Sequence, residues 1–421
     1  MGVISKLTRK SRRLFVSKKR IKENSGPKKP RVLFVSHEAT RTGALMIILN
    51  ILKHFNKNCN ILCEAVLHNG GALSNEFQKY SARPIDCFDI PREASDSLKK
   101  RVQKIVNRER DNAPVLAICN SMESRFISKE LADAGIPVLS LVHELPSSYS
   151  EEDYQNIYDI SKRVVFPVHA VRDAADAKTT IPAGKGLVLP QGLLKPDFGE
   201  SITRDAAHTQ IRQELNLPAN SFIVLGCGTL DLRKGIDHYA AIARRVTESN
   251  NSPTPIHFVW VGGGPRWTHS LYHYVQLDLE KSGASDHVHF IGERADVEPY
   301  FVGADSFLMS SRVDPFPCVI HEAMATGLPV ITFAKSGGAQ EAVADGAGIV
   351  VPYGDYEQTS NVIRMLASQP EVATGIRERS RKRVETRYQF ADYGDKLIDL
   401  SESIIQTQMR FEGPRIHRAV A

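Results

Sequence analysis

The sequence predicts an α/β protein of two doubly wound domains, each with a parallel sheet, facing each other across a cleft. Three observations carry that expectation. The chain has 421 residues, too many for one ordinary core, because cores stop growing beyond roughly 250–300 residues. Short apolar runs of strand type alternate with stretches of helical spacing, the pattern of parallel strands covered on both faces. A strand–loop–helix opening occurs twice, "RVLFVS" leading into "TGALMIILNILKHF" and "FIVLGCG" leading into "IDHYAAIARRV", about 190 residues apart.

Taken in order, residues 1–30 form a basic tail. Residues 1–31 hold twelve Lys or Arg against Glu23, whereas the whole chain is only +6, so the rest is net acidic. Wound as a helix, Val3, Ile4, Leu7, Leu14, Phe15 and Ile21 share an arc of about 120°. Such a segment would lie on an anionic membrane surface, each nearby Lys or Arg adding about 1 kcal/mol. Lys18 interrupts the stripe and Val16 falls outside it, so a solvated leader is the other reading. Nucleic acid is not expected as a partner, because Phe15 is the one aromatic among the charges and no stacking platform results.

Residues 31–195 form the first domain, with strands in "RVLFVS", "NILCEAVL", "VLAICN", "VLSLVH" and "RVVFPV". "LPQGLLKPDFGE", from Leu189, reads as the linker. Residues 196–395 form the second domain, with strands in "FIVLGCG", "IHFVWVGGGP", "VHFIG", "SFLMSS", "PVITF" and "GIVVP". The amphipathic end of the chain, about 396–421, reads as a helix.

Apolar content of 42% and charged content of 24% are those of a globular protein. No run of about 18 apolar residues and no secretory leader is found, so a cytoplasmic protein is expected. The six cysteines, at 59, 63, 87, 119, 227 and 318, lie mostly in apolar runs, which suits reduced thiols. Cys59 and Cys63 lack the second pair a zinc site needs.

The stretch "SSRVDPFPCVIHEAMATGLPV" places Asp314 on a loop held open by Pro315 and Pro317, and Glu322 about one turn into the helix that follows. Backbone N–H groups near Pro317, Cys318 and Val319 would point at an anion, since a helix start carries unpaired donors and the positive end of the macrodipole. Arg233 and Lys234, in the loop after the second domain's first strand, are the candidate cations. A helix start, cations and two carboxylates suit a diphosphate attached to a polyhydroxy group. Ligands of open α/β sheets sit beyond the carboxyl ends of the strands, which puts the site in the cleft.

That stretch, together with "FVSHEATRTGAL", "ICNSMES", "LVHELPSSY", "GTLDLRKGID", "VWVGGGP" and "FIGERADVEPYFVGADSFLMSS" in the same order, resembles family 4 glycosyltransferases of the GT-B fold, most of all bacterial enzymes of surface-polysaccharide assembly. The resemblance covers nearly the whole chain from residue 31. It implies a retaining transfer of a hexose from a nucleotide-diphosphate sugar to a glycan or lipid-linked acceptor, on the inner face of the cytoplasmic membrane if the tail is an anchor.

Residue by residue, the resemblance assigns Glu322 to the ribose hydroxyls, Asp314 to the transferred sugar and Lys234 to the diphosphate. Asp314 stands where glutamate is commoner. Thr229 stands where the family has an arginine, a charge that Arg233 would replace. Gly43 corresponds to the glycine that lets phosphates or acceptor approach, His143 to a histidine near the sugar, and Gly264 and Arg294 to the base pocket. His37 and Asn120 are candidates on the acceptor side. The final helix is implied to cross back onto the first domain. No D-x-D triplet is present, so neither metal nor cofactor is expected. A silent nucleotide-sugar-binding relative and a nucleotide-sugar epimerase remain as other readings.

Overall fold

The computed structural model describes residues 29–89, 95–109, 112–248, 254–264 and 269–411. The tail at 1–28 and residues 412–421 lie outside the described residues. The first sheet has seven strands, all parallel: β1 (Arg31–Ser36), β2 (Leu62–Leu67), β3 (Asp86–Cys87), β4 (Pro114–Asn120), β5 (Val138–Leu141), β6 (Ser161–Phe166) and β7 (Gly186–Val188), in spatial order β3-β2-β1-β4-β5-β6-β7. The second has six, also parallel: β8 (Phe222–Cys227), β9 (Ile256–Val261), β10 (Val288–Phe290), β11 (Ser306–Met309), β12 (Val330–Phe333) and β13 (Ile349–Val351), in order β10-β9-β8-β11-β12-β13. Every residue of β1 and β9 is buried, which is why these strands read as unbroken apolar runs rather than alternating ones.

Each sheet reverses its winding once, between β1 and β4 in the first domain and between β8 and β11 in the second. The loops leaving these four strands diverge at the reversal and open a crevice there. Gly43, Asn120, the 229–235 loop and the 310–317 loop are therefore brought to the two crevices by topology.

The chain passes between the domains twice, and the two crossings lie side by side. The Leu193 N–H donates to the Tyr388 carbonyl at 2.8 Å. A Cβ on Gly192 would stand 2.4 Å from the same oxygen, so only glycine permits this approach. The returning chain forms the helix Phe390–Phe411. Its residues Phe390, Tyr393, Leu397, Ile398, Ile404 and Ile405 join the first domain's core with Phe34, Ile48 and Phe55. It begins at 390 rather than about 396, and His54 bonds Asp395 at 2.9 Å at its start.

The domains touch as well as face each other. Glu341, in the second domain, accepts hydrogen bonds from the backbone N–H of His169 at 3.1 Å and of Ala170 at 2.6 Å, capping the helix His169–Lys178 of the first. A carboxylate at a helix start is worth about 1 kcal/mol, and here that energy adds to the apolar core, with Val168 and Phe316, that the two domains share. Glu341→Ala is expected to loosen this contact and raise the radius of gyration in small-angle X-ray scattering. Superimposable scattering curves would show that the carboxylate does not restrain the domains.

Candidate functional site

The site is built from two helix starts that meet across the cleft. The helix Gly43–Asn58 follows β1 and the helix Cys318–Ala325 follows the loop after β11. A Cβ on Gly43 would stand 3.4 Å from the Cys318 sulfur, so the two first turns are in contact. Neither start has a side-chain cap, and neither first turn carries an acid. Two positive dipole ends therefore point at one region, with no acid in either first turn to offset them.

Lys234 reaches the same region from the loop after β8. Asp231 shapes that loop: its carboxylate accepts the Lys234 N–H at 2.7 Å and the Thr229 hydroxyl at 2.7 Å. Gly235, at φ +71°, lets the backbone pass so close to Ser310 that a Cβ would lie 2.1 Å from its carbonyl oxygen. The Lys234 ammonium then meets the Asp314 carboxylate at 2.5 Å. Arg233 stands 3.7 Å from the other Asp314 oxygen and also donates to the Val313 carbonyl at 3.2 Å. Asp314 is fixed from behind, its N–H on the Ser336 carbonyl at 2.7 Å and its own carbonyl pressed against Gly337. Lys234 is thus not a waiting cation, as the sequence suggested; in the free protein it neutralises a buried acid.

Glu322 lies one turn into the helix Cys318–Ala325. Among the described residues no side chain or backbone group is found donating to its carboxylate. Burial, and then the charge of Glu298, push its pKa up to about 7. The Cys227 and Cys318 thiols beside it are pushed up to about 12, chiefly by burial, so neither is a thiolate nucleophile. Pro317 is the N-cap of this helix and Val319 its second residue.

On the first-domain side, His143 follows β5 and Asn120 ends β4. The His143 Nε2 is 2.9 Å from the Asn120 carboxamide oxygen, whose nitrogen donates to the Ala44 carbonyl at 3.0 Å. This one carboxamide ties the imidazole to the first turn of the helix that meets Cys318. Asn120 is fully buried with both ends of its side chain engaged. In the free protein it stands behind the imidazole rather than on the cleft surface. His37 begins the loop after β1, with its ring 4.0 Å from Glu38.

Arg294 is held by neighbours on its own domain. Its guanidinium donates to the Tyr300 hydroxyl at 3.1 Å, to Glu214 at 2.8 Å and to the Ile291 carbonyl, so most of its donors are engaged within the protein. Gly264 closes the loop after β9, next to residues outside the described set. Its neighbour Gly262 (φ +132°) packs on the Gly228 carbonyl.

Three positioning residues escaped the sequence. Asp231 was readable as an acid three positions before a lysine at a loop start. Glu144 was not: it binds the Ser121 hydroxyl and accepts the N–H groups of Met122 and His143, both at 3.1 Å, joining the ends of β4 and β5. Glu341 acts on residues 172 positions away, beyond any local pattern.

Residues 207–383 match the model of the family described as glycosyl transferases group 1. The lipopolysaccharide core biosynthesis glycosyltransferase LpsE of Rhizobium meliloti (strain 1021) is 28% identical over 193 residues, 46% of this chain and 53% of that protein. The UDP-Gal:alpha-D-GlcNAc-diphosphoundecaprenol alpha-1,3-galactosyltransferase of Escherichia coli is 25% identical over 214 residues, 51% of this chain and 53% of that one. The chain thus spans about half the length of the curated relatives it matches. In three dimensions it is similar to Anabaena Alr3699/HepE, crystallised in complex with UDP, with a TM-score of 0.76 at 20% identity over 89% of this chain and 100% of that one. It is also similar to WaaG, a glycosyltransferase involved in lipopolysaccharide biosynthesis, with a TM-score of 0.64 at 16% identity over 88% and 99% of the two chains. The chain thus carries a glycosyl transferases group 1 match over residues 207–383, set in a two-domain GT-B fold.

Proposed function

We propose that this chain is a retaining glycosyltransferase that moves a hexose from a nucleotide-diphosphate sugar to a glycan or lipid-linked acceptor in surface-polysaccharide biosynthesis. The observation that carries the proposal is the pair of uncapped, acid-free helix starts meeting at Gly43 and Cys318, with Lys234 and Arg233 beside them. That is a fixed positive site for a diphosphate, and stabilising charge on a leaving diphosphate by preorganised dipoles is the main physical task of such a transfer.

The diphosphate takes the N–H groups of Cys318 and Val319 and draws Lys234 from Asp314, freeing Asp314 for hydroxyls of the sugar. Glu322 accepts the ribose hydroxyls. His143, whose pKa burial lowers to about 4, is a neutral hydrogen-bonding group and not an acid. The bond from the anomeric carbon to the phosphate oxygen breaks while the acceptor oxygen bonds that carbon on the same face. The acceptor's proton passes to the departing phosphate oxygen, so no protein base is required. The likeness to a protein crystallised with UDP and to one named for a UDP-galactose donor supports a nucleoside diphosphate carrier. Lipopolysaccharide-core and diphosphoundecaprenol relatives support a glycan or lipid-linked acceptor.

The test is a panel of nucleotide-hexoses screened by thermal shift, followed by mass analysis of the product on a lipid-linked acceptor. Transfer is expected with one donor, with the anomeric configuration retained, and undiminished in EDTA. Binding without release of the nucleoside diphosphate would indicate a silent relative; conversion of the donor sugar without acceptor would indicate an epimerase. The tail is tested separately: deleting residues 1–28 is expected to lower recovery on anionic vesicles, and equal recovery would rule out a surface helix. Among the described residues no helix is long and apolar enough to cross a membrane.

A further inference from the structure

We infer that the second domain carries a membrane-docking lip: Leu232, Val313 and Tyr353, flanked by Arg233 and Lys335, enter the headgroup region of an anionic bilayer and hold the mouth of the cleft against it. What the contact serves rests on the proposed transfer to a lipid-linked acceptor; the surface itself is read from the second domain alone.

The loops after β8, β11, β12 and β13 all leave the carboxyl edge of the second sheet, and their own bonds set them side by side. The Arg312 N–H donates to the Arg233 carbonyl at 2.9 Å, and its guanidinium donates to the Leu232 carbonyl and to Asp237, both at 2.7 Å. Arg233 in turn donates to the Val313 carbonyl at 3.2 Å. The Asp314 N–H on the Ser336 carbonyl brings Lys335 to the same edge. The Tyr353 ring lies 5.5 Å from that of Phe333, at the end of β12, and 5.9 Å from that of His238, next in sequence to the Asp237 that holds Arg312.

Leu232 is 55% exposed, Tyr353 47% and Val313 37%. Single exposed apolar side chains are normal on any surface. Here three of the six large ones exposed among the described residues share one edge, and it is grouping that marks an interaction surface. The charges around them decide the partner. Lys335 is exposed, and among the described residues no acid pairs with it. Arg233 is 3.7 Å from an Asp314 that Lys234 already neutralises. The acids of the same loops are turned onto protein groups: Asp231 onto Thr229 and the Lys234 N–H, Asp237 onto Arg312, Asp355 onto the Gln358 N–H. The charge left facing outward is therefore positive. Apolar tips set between cations fit anionic lipid: leucine and valine enter the acyl boundary, tyrosine stays at the headgroups, and the cations meet the phosphates. Nucleic acid would gain nothing from Leu232 and Val313. The lip adjoins Lys234 and Asp314, so a bilayer held there presents a lipid-linked acceptor at the cleft.

The test uses the full chain and vesicles of equal parts phosphatidylcholine and phosphatidylglycerol, with no donor or acceptor present. Tyr353→Trp puts a fluorophore on the lip; Tyr274→Trp puts one outside it, on the exposed side of the helix His269–Lys281. Lipids brominated on the acyl chains are expected to quench Tyr353→Trp beyond wild type and Tyr274→Trp no more than wild type. Added to Tyr353→Trp, Lys335→Glu and Leu232→Ser are each expected to raise the lipid needed for half-quenching by about fivefold or more. An unquenched Tyr353→Trp would overturn the inference and leave a protein partner as the occupant of the lip. Equal quenching of both tryptophans, or half-quenching unmoved by Lys335→Glu and Leu232→Ser, would overturn it by giving membrane binding to another surface. Because no sugar is present, a failure here leaves the proposed transfer standing, and a failure of transfer leaves the vesicle result standing.

Discussion

Lys234→Met is expected to lower kcat by about 10²–10³-fold, the usual cost of removing one fixed group that stabilises charge in a transition state. The same substitution is expected to destabilise the fold, and the two effects separate in a second variant. In the free protein the ammonium lies 2.5 Å from Asp314, whose side chain is 8% exposed. Removing one member of a buried ion pair costs roughly 3–5 kcal/mol, because the other charge stays buried; Arg233, 3.7 Å away, holds the cost toward the low end. Lys234→Met combined with Asp314→Asn removes both charges and is expected to recover most of the melting temperature while remaining as slow as the single variant, or slower. Thermal denaturation and steady-state rates on both proteins check this. Recovery of activity along with stability would mean that Lys234 serves only to neutralise Asp314.

Glu322→Gln is expected to stabilise the protein at pH 8 and to weaken donor binding. The carboxyl is raised from about 4.5 to about 7 in the fold, by burial first and by the Glu298 charge second. Between those two values the folded chain holds a proton that the unfolded chain has lost. Stability therefore falls as pH rises through that window, and the full penalty, about 2–3 kcal/mol, persists above pH 7. Glutamine does not titrate and escapes it. The melting temperature of the variant is expected to exceed that of wild type by about 5 °C at pH 8, and to match it at pH 4.5. Donor affinity runs the other way. A carboxylate accepts two ribose hydroxyls and a glutamine oxygen accepts less strongly, so affinity is expected to fall about tenfold at pH 8. In wild type, affinity is expected to rise from pH 6 to pH 8, and in the variant to stay flat. A residue retained for a stability-lowering charge fits a binding role better than a structural one.

The two sheets were legible because parallel strands buried on both faces leave continuous apolar runs, as in "RVLFVS" and "IHFVWV". The strands that went unread, Asp86–Cys87 and Gly186–Val188, are sheet edges of two and three residues without a fully buried position, so no apolar run marks them. The helix Cys318–Ala325 was legible from Pro317 at its start, and Asp314 and Glu322 fell on the loop and the first turns accordingly. What the sequence did not disclose was orientation. Asn120 and Arg294 occupy strand-end positions that commonly face a ligand, yet each is turned onto protein partners, Ala44 and His143 for one, Glu214 and Tyr300 for the other. A strand end specifies where a residue stands and leaves its contacts to tertiary packing. Glu144 and Glu341 were hidden for the same reason, since their partners are backbone N–H groups that carry no residue-type signal.

The most direct test is a crystal structure with the nucleoside diphosphate that the thermal screen selects. The diphosphate is expected within hydrogen-bonding distance of the Cys318 and Val319 N–H groups, with Lys234 moved from Asp314 onto a phosphate oxygen and Glu322 on the ribose. A nucleotide bound away from the Gly43–Cys318 contact, with Lys234 still on Asp314, would contradict the central claim that the two helix starts form one anion site.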